Sequence, residues 1–347
     1  MLSAAAPELS SPGGKIYHGG DLVSARILFP AAPEPWLDLS TGINPEAYPV
    51  GSLASSAWSR LPAPADREVL ERTAAAAYGV TLPATIVAAP GTQALLQLLP
   101  RLILARRVAI LGFTYQEHAA CWRAAGASVR VVTDIEDLCA GDVDAAVVVN
   151  PNNPDGRIVA AADLLGVARS LSARGGTLIV DEAFMDVVRP SASLVPSLPG
   201  SGVIVLRSFG KTYGLAGLRL GFAVAGSDLA GHLRAMMGPW AVSGPAISVG
   251  ARALADQDWL HGTIARLEAA TARLDELVTA AGLEVLGGTS LFRLTSSPRA
   301  AGWFARLGRA GILVRPFPAQ PGWLRFGIPG SDEAAWARLS HALAAGA

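Results

Sequence analysis

Between about residue 84 and residue 225, short apolar runs rich in β-branched residues alternate with longer Ala/Leu/Arg-rich stretches, and this alternation constrains the fold more than any other feature. A strand buried on both faces reads as an unbroken apolar run, and a helix between two such strands is the usual crossover that makes them parallel. The pattern predicts strands at 85–88, 107–111, 128–132, 145–149, 177–180, 202–206 and 220–224. Seven strands with interleaved helices make a large α/β domain around a mostly parallel sheet. Residues 245–281 read as helical, as in the run Leu267 to Leu274, and stop at Gly282. Strands follow at 283–285, 290–294, 312–315 and 323–326, with two helices. The last helix begins at Ser331 as N-cap, with Asp332 and Glu333 in its first turn, where acids suit the helix dipole. Residues 1–45 hold several prolines and one weak strand signal at 36–39, which reads as an arm packing on the rest. The expected division is therefore an arm at 1–45, a large α/β domain at 46–245 and a smaller α+β domain at 246–347.

A chain of 347 residues exceeds the usual single-domain size, consistent with two unequal lobes. Although 51% of residues are hydrophobic, their runs are short and broken by turn formers, so a soluble protein without membrane spans is expected. Lys+Arg and Asp+Glu are both 28, and no basic stripe is available to neutralise a nucleic-acid backbone. Cys121 and Cys139 lack metal-ligand spacing and read as ordinary thiols of a reducing compartment. Residues 1–14 show no secretory pattern, so the expected location is the cytoplasm, and no metal site is expected.

Six stretches carry chemistry. The first runs from Ser208 to Gly221, where Lys211 follows a glycine and leads into a Gly-rich turn. A lone loop lysine is ordinarily solvated. Here Ser208 stands three residues before it and Arg219 eight after, the hydroxyl and guanidinium that an anionic phosphate needs. In the second, Asp181 ends an apolar strand thirty residues before Lys211; such an acid either caps the next helix or pairs with a protonated ring nitrogen. The third, Asn150 to Gly156, is a turn-rich strand exit whose amides can also bond a phenolic oxygen. In the fourth, Ala89 to Leu96 pass from strand to helix, so the N–H groups of Gly91, Thr92 and Gln93 can point at an anion. The fifth, Phe113-Thr114-Tyr115, follows the strand at 107–111. In the sixth, Arg325 sits on an otherwise apolar strand, a rigid fork suited to a carboxylate, and Arg315 ends the strand before it.

In combination these stretches resemble the class I/II aminotransferases, which use pyridoxal 5'-phosphate (PLP) and have the aspartate-aminotransferase fold (fold type I). The resemblance implies that Lys211 forms the Schiff base to the cofactor and that Asp181 pairs with its pyridine nitrogen. It places Ser208, Arg219 and the turn at Gly91, Thr92 and Gln93 around the phosphate. Tyr115 stacks on the ring, and Asn153 bonds the phenolic oxygen. Two positions depart from the family pattern: Asp155 stands where threonine is more usual, and Phe184 where a tyrosine often supplies a hydroxyl. The matching motifs span residues 89–325. The resemblance also implies a homodimer.

The arm narrows the reading. Tyr17-His18-Gly19-Gly20-Asp21, Ala25-Arg26 and Trp36 to Pro45 resemble the N-terminal arm of the threonine-phosphate decarboxylases of cobalamin biosynthesis. The expected reaction is then decarboxylation of L-threonine O-3-phosphate to (R)-1-amino-2-propanol O-2-phosphate. His18 and Arg315 would meet the substrate phosphate, Arg325 its carboxylate, and Asn44 would add polar contacts nearby. For His18 an ordinary surface contact, and for Arg315 an exposed strand end, are the competing readings. Histidinol-phosphate aminotransferases share the later motifs and would need a 2-oxo acid. A non-catalytic PLP-binding regulator is the reading from another class, opposed by intact Lys211, Asp181, Asn153 and Arg219.

Overall fold

The computed structural model describes residues 18–344; Tyr17 of the arm pattern lies outside them. Its contacts divide the chain into two compact units, Ala47–His261 and the residues up to Glu46 together with Gly262 onward. In chain order come α1 (Leu22–Leu28), β1 (Leu37–Asp38), α2 (Ser56–Ser59), α3 (Pro64–Tyr78), β2 (Ala84–Ala89), α4 (Thr92–Leu102), β3 (Arg107–Leu111), α5 (Glu117–Ala124) and β4 (Ser128–Val132). They are followed by β5 (Ala145–Val149), α6 (Ala161–Ser172), β6 (Thr177–Asp181), β7 (Val203–Ser208), the single turn α7 (Phe209–Thr212), β8 (Gly221–Gly226), α8 (Ser227–Met237) and α9 (Gly244–Ala255). The division between units falls within α10 (Gln257–Ala280), after which come β9 (Glu284–Thr289), β10 (Phe292–Ser296), α11 (Ala300–Arg309), β11 (Ile312–Leu313), β12 (Arg315–Pro316), β13 (Trp323–Gly327) and α12 (Glu333–Ala344).

The unit Ala47–His261 is built on a seven-stranded sheet in the order β2-β8-β7-β6-β5-β3-β4. The pairs β7–β6, β6–β5, β5–β3 and β3–β4 are parallel, whereas β8 is antiparallel to both β7 and β2. The exception follows from the connection: residues 209–220 hold only one α turn, a short 3-10 turn at Ala216–Leu218 and glycine-rich links, too little for the crossover helix that a parallel neighbour requires, so the chain returns beside the strand it left. Side chains alternate between two cores. Val148, Leu178, Val180, Val203 and Val205 pack with Leu164, Val167 and Leu171 of α6 on one face. On the other, Val147, Ile179, Ile204 and Leu206 pack with Leu95, Leu96 and Leu99 of α4.

A charged cluster interrupts the first core. Arg207 is buried, its Nη1 donates to Glu182 Oε2 at 2.8 Å, and its Nη2 donates to Asp186 Oδ1. Its guanidinium carbon lies 4.3 Å from the ring centre of Tyr78. Burial alone would lower the arginine's pKa, but the Asp186 and Glu182 carboxylates outweigh it and hold the group charged. Glu182 also accepts from the Leu194 amide at 2.7 Å and the Ser193 hydroxyl at 2.6 Å, so it ties β6, β7 and the loop between them.

The second unit carries an antiparallel sheet in the order β12-β13-β10-β9, and β1 pairs in parallel with β11. Three expectations change in detail. The strand expected at 312–315 is two pieces, because β11 pairs with β1 of the arm while β12 turns to β13. The helical stretch 245–281 is two helices, broken at Asp256, whose carboxylate accepts from the Trp259 amide at 3.0 Å and starts the second. The last helix is opened by Asp332, not Ser331: its Oδ1 accepts from the Ala334 amide at 2.9 Å, a carboxylate being a good acceptor at the positive end of a helix. Among the described residues no helix is long and apolar enough to cross a membrane.

Removing one member of the buried cluster leaves the others with a charge that water cannot reach. Glu182→Ala is expected to cost about 3–5 kcal/mol, read as a lower urea midpoint at unchanged m-value. A loss below about 1 kcal/mol would show that the cluster is solvated.

Candidate active site

All of the sequence stretches in this unit leave the sheet at one edge. The register aligns Ala89 of β2 with Gly221 of β8 and Gly221 with Ser208 of β7. It also aligns Leu206 with Asp181 of β6, and Asp181 with Val149 of β5. These are the carboxyl ends of the parallel strands, where an open α/β sheet collects loops and helix N-termini.

Beside that row the chain forms a cradle. Gly91 has φ +85° and precedes α4, whose first amides, at Thr92 and Gln93, lack intrahelical acceptors by geometry. Arg219 is held in the left-handed region, φ 53°, with Nη1 donating to the Ala216 carbonyl at 3.0 Å. A Cβ on Gly91 would lie 2.7 Å from Arg219 Nη2, and one on Gly221 would lie 2.7 Å from the Thr92 nitrogen. Glycine at both positions thus lets a guanidinium and a helix N-terminus share one small space, a geometry suited to an oxyanion.

Ser208 is the last residue of β7 and stands at the N-cap of α7, which carries the half-buried Lys211. The turn packs closely, since a Cβ on Gly210 would meet Ala216 Cα at 2.7 Å. Lys211 Nζ is 5.9 Å from the centre of the Phe184 ring, so at this position an aromatic face stands where the family often has a phenol. Tyr213 stacks between Phe209, at 4.4 Å, and Trp259, at 5.5 Å; burial drives its hydroxyl pKa far up, which makes it a packing residue.

Asp181 is buried and fully engaged, with Oδ1 accepting from the Ala183 amide at 3.1 Å and Oδ2 lying 2.9 Å from His118 Nε2. His118 was not singled out by the sequence; its only signal was a position three residues after Tyr115, which puts both on one turn at the start of α5. Glu117, equally unnoticed, accepts from Gln93 Nε2 at 3.0 Å, and Gln93 Oε1 accepts from the Tyr115 hydroxyl at 3.3 Å. The beginning of α5 therefore connects the ring of Tyr115, the cradle and the acid.

In the loop after β5, Asn152 Nδ2 donates to the Phe113 carbonyl at 3.0 Å and to Asp155 Oδ1 at 2.8 Å, which also accepts from the Arg157 amide at 3.0 Å. Asp155, unusual for the motif, closes the turn that carries half-buried Asn153. Gly91, Thr92, Gln93, Tyr115, Asn153, Asp181, Ser208, Lys211 and Arg219 thus all lie on segments leaving one sheet edge.

The remaining four residues belong to the other unit. Arg315 and Arg325 are direct cross-strand partners on β12 and β13. Arg325 is 2% exposed, its Nη2 donates to the Ser40 carbonyl at 3.0 Å, and its guanidinium carbon lies 4.9 Å from the Phe292 ring centre. Arg315 lies 5.4 Å from that of Phe317. Burial first, and then the like charge of Arg315, push the Arg325 pKa well down, with Asp38 acting in the opposite sense. Two guanidiniums paired across the strands, one of them buried, make a positively charged place on this sheet. Asn44 is buried and its Oδ1 accepts from the Glu46 amide at 3.0 Å, forming an arm turn. His18 is exposed at the start of the described arm.

Residues 44–343 match the family described as aminotransferase class I and II. The chain belongs to that family. Aminotransferase-family relatives include a threonine-phosphate decarboxylase from Sinorhizobium sp., 46% identical over 95% of this chain and 98% of its own length. Another from Pseudomonas aeruginosa is 44% identical over 94% and 96% respectively. Among solved family structures, histidinol-phosphate aminotransferase from Sinorhizobium meliloti in complex with pyridoxal-5'-phosphate superposes with TM-score 0.80 over 98% of both chains at 22% identity, a likeness of fold.

An oxyanion cradle makes a simple expectation for this family member. Inorganic phosphate should raise the melting temperature of the unliganded protein, and Gly91→Ala, which forces a Cβ against Arg219, should remove most of that rise. An equal rise in both proteins would place phosphate elsewhere.

Proposed function

We propose that this chain is a pyridoxal-phosphate-dependent decarboxylase of L-threonine O-3-phosphate, releasing carbon dioxide and (R)-1-amino-2-propanol O-2-phosphate for cobalamin assembly. The observation that carries the reading is the cross-strand pair Arg315 and Arg325, two cations for a substrate with two anionic groups. The relatives that span nearly the whole chain support it.

The donor set fits the coenzyme. The Thr92 and Gln93 amides, Ser208 and Arg219 suit its phosphate, and the bare Gly91 lets Arg219 Nη2 approach that turn; the expected Gly91 amide is instead taken by the Ala89 carbonyl at 2.7 Å. Asp181, held by His118, suits the ring nitrogen; Tyr115 suits the ring face, Asn153 the phenolic oxygen and Lys211 the carbonyl carbon. When bound, PLP draws electron density from the substrate Cα, so that a bond there can break heterolytically.

The chain's own residues choose the bond and handle the protons. Arg325 would grip the substrate carboxylate in a fixed fork and so would select the Cα–carboxylate bond for cleavage. Arg315 and His18 take the phosphate. Asp181, oriented by His118 at Oδ2 and the Ala183 amide at Oδ1, would hold a proton on the ring nitrogen. Decarboxylation replaces a carboxylate with hydrogen, and the Lys211 amine supplies that proton at Cα. Phe184 leaves the phenolic oxygen to Asn153. The enzyme works as a cytoplasmic homodimer, without nucleic acid or membrane partners.

The test is incubation of the PLP-loaded protein with L-threonine O-3-phosphate and no 2-oxo acid. Carbon dioxide and aminopropanol phosphate should appear in equal amounts. Amino transfer from histidinol phosphate to 2-oxoglutarate without carbon dioxide release would replace this reading with the aminotransferase; turnover of no amino acid despite bound PLP would favour a regulator. Lys211→Ala should lower kcat by at least about 10³-fold, since it removes the proton donor as well as the covalent anchor. Arg325→Ala should raise KM by roughly 100-fold, the loss of a charge-assisted pair of about 2–3 kcal/mol.

A further inference from the structure

Ser40 is wholly buried, and it touches both ends of the anion-binding unit. Its hydroxyl accepts from the Gly20 amide at 2.7 Å and donates to Asp38 Oδ1 at 2.5 Å, while its own amide donates to the same oxygen at 2.9 Å. Its carbonyl accepts from Arg325 Nη2 at 3.0 Å. The arm at Gly19 is pressed against that carbonyl: a Cβ there would lie 2.3 Å from the Ser40 oxygen, so only glycine permits the approach. Gly20 has φ +91°, which again suits glycine, and Asp21 then caps α1 through the Ser24 amide at 2.9 Å. The backbone of Ser40 is itself anchored, since the amide before it, at Leu39, donates to the Leu313 carbonyl at 2.7 Å, and the Leu39 carbonyl accepts from the Gly327 amide at 2.6 Å.

We propose that Ser40 is a specificity-determining positioning residue: its side chain latches the arm, and with it His18, to the strand pair that carries Arg315 and Arg325, so that recognition of the phosphate depends on the Ser40 hydroxyl while recognition of the carboxylate depends on its carbonyl. This assignment rests on the decarboxylase reading for the identity of the two anions. The chemistry separates them. A hydroxyl can be deleted by mutation, whereas the carbonyl survives any substitution. Asp38 sits behind both functions, accepting from the Ser40 hydroxyl and supplying negative potential to Arg325.

Three variants of the PLP-loaded protein test the latch, with dissociation constants for L-threonine O-3-phosphate and for L-threonine read from the absorption of the bound coenzyme. Ser40→Ala should weaken the phosphorylated ligand about tenfold, the worth of one buried hydrogen bond, and leave L-threonine within about twofold. Gly19→Ala, whose Cβ would collide with the Ser40 carbonyl and force the arm away, should weaken the phosphorylated ligand at least as much. Asp38→Asn should weaken both ligands. Tryptic cleavage after Arg26, in the arm helix, provides a readout independent of any amino acid and should accelerate in Ser40→Ala and Gly19→Ala. Equal effects of Ser40→Ala on the two ligands, or no effect on either, would overturn the proposal, as would cleavage at the wild-type rate. Should the wild-type protein fail to prefer the phosphorylated ligand, the functional reading fails, and the cleavage rates alone decide whether the latch exists.

Discussion

The antiparallel insertion of β8 between β7 and β2 is the constraint on which the rest of the site depends. It sets Ala89, Gly221 and Ser208 in one row, and so brings the start of α4, the end of the lysine loop and the last residue of β7 to one place. The cause is the shortness of the 209–220 connection, which cannot cross over and must return beside its own strand. The same short connection contains Lys211 and Arg219. A single local feature therefore both orders the strands and brings Lys211 and Arg219 to their ends.

Two buried arginines show how differently the chain treats charge. Arg207 meets two carboxylates and is held charged by them, a closed cluster with a structural role. Arg325 lies beside another arginine, with an aromatic face and a carbonyl as its neighbours, and its pKa is driven down. Burial and the like charge of Arg315 act against Asp38 at this guanidinium, a balance that a further negative charge would tip toward the charged form. The first arrangement stabilises the sheet; the second suits a ligand.

Much of the fold was legible because its signals are local. Fully buried parallel strands declare themselves as apolar runs, and all seven strands of the large sheet lie where those runs are. The errors fall where tertiary partners decide: the run at 312–315 splits because the arm strand β1 claims one half and β13 the other. The same distinction governs the site. Lys211, Asp181, Asn153 and Arg219 stand in short motifs with fixed spacing, but His118 and Glu117 acquire their importance only from contacts with Asp181 and Gln93, distant in the chain. Nothing local marks a histidine as the neighbour of an acid sixty-three residues away.

By itself the sequence determined the period of each element, the order of strands and helices, and the identity of the side chains that leave the sheet edge, because backbone periodicity and turn chemistry act over a few residues. Only the tertiary structure decided which strand returned antiparallel, that His118 meets Oδ2 of Asp181, and that Ser40 holds the arm with its hydroxyl and Arg325 with its carbonyl. These depend on groups that chain closure brings together from far apart, and hydrogen bonding, unlike hydrophobic periodicity, is set by the final few tenths of an ångström between them.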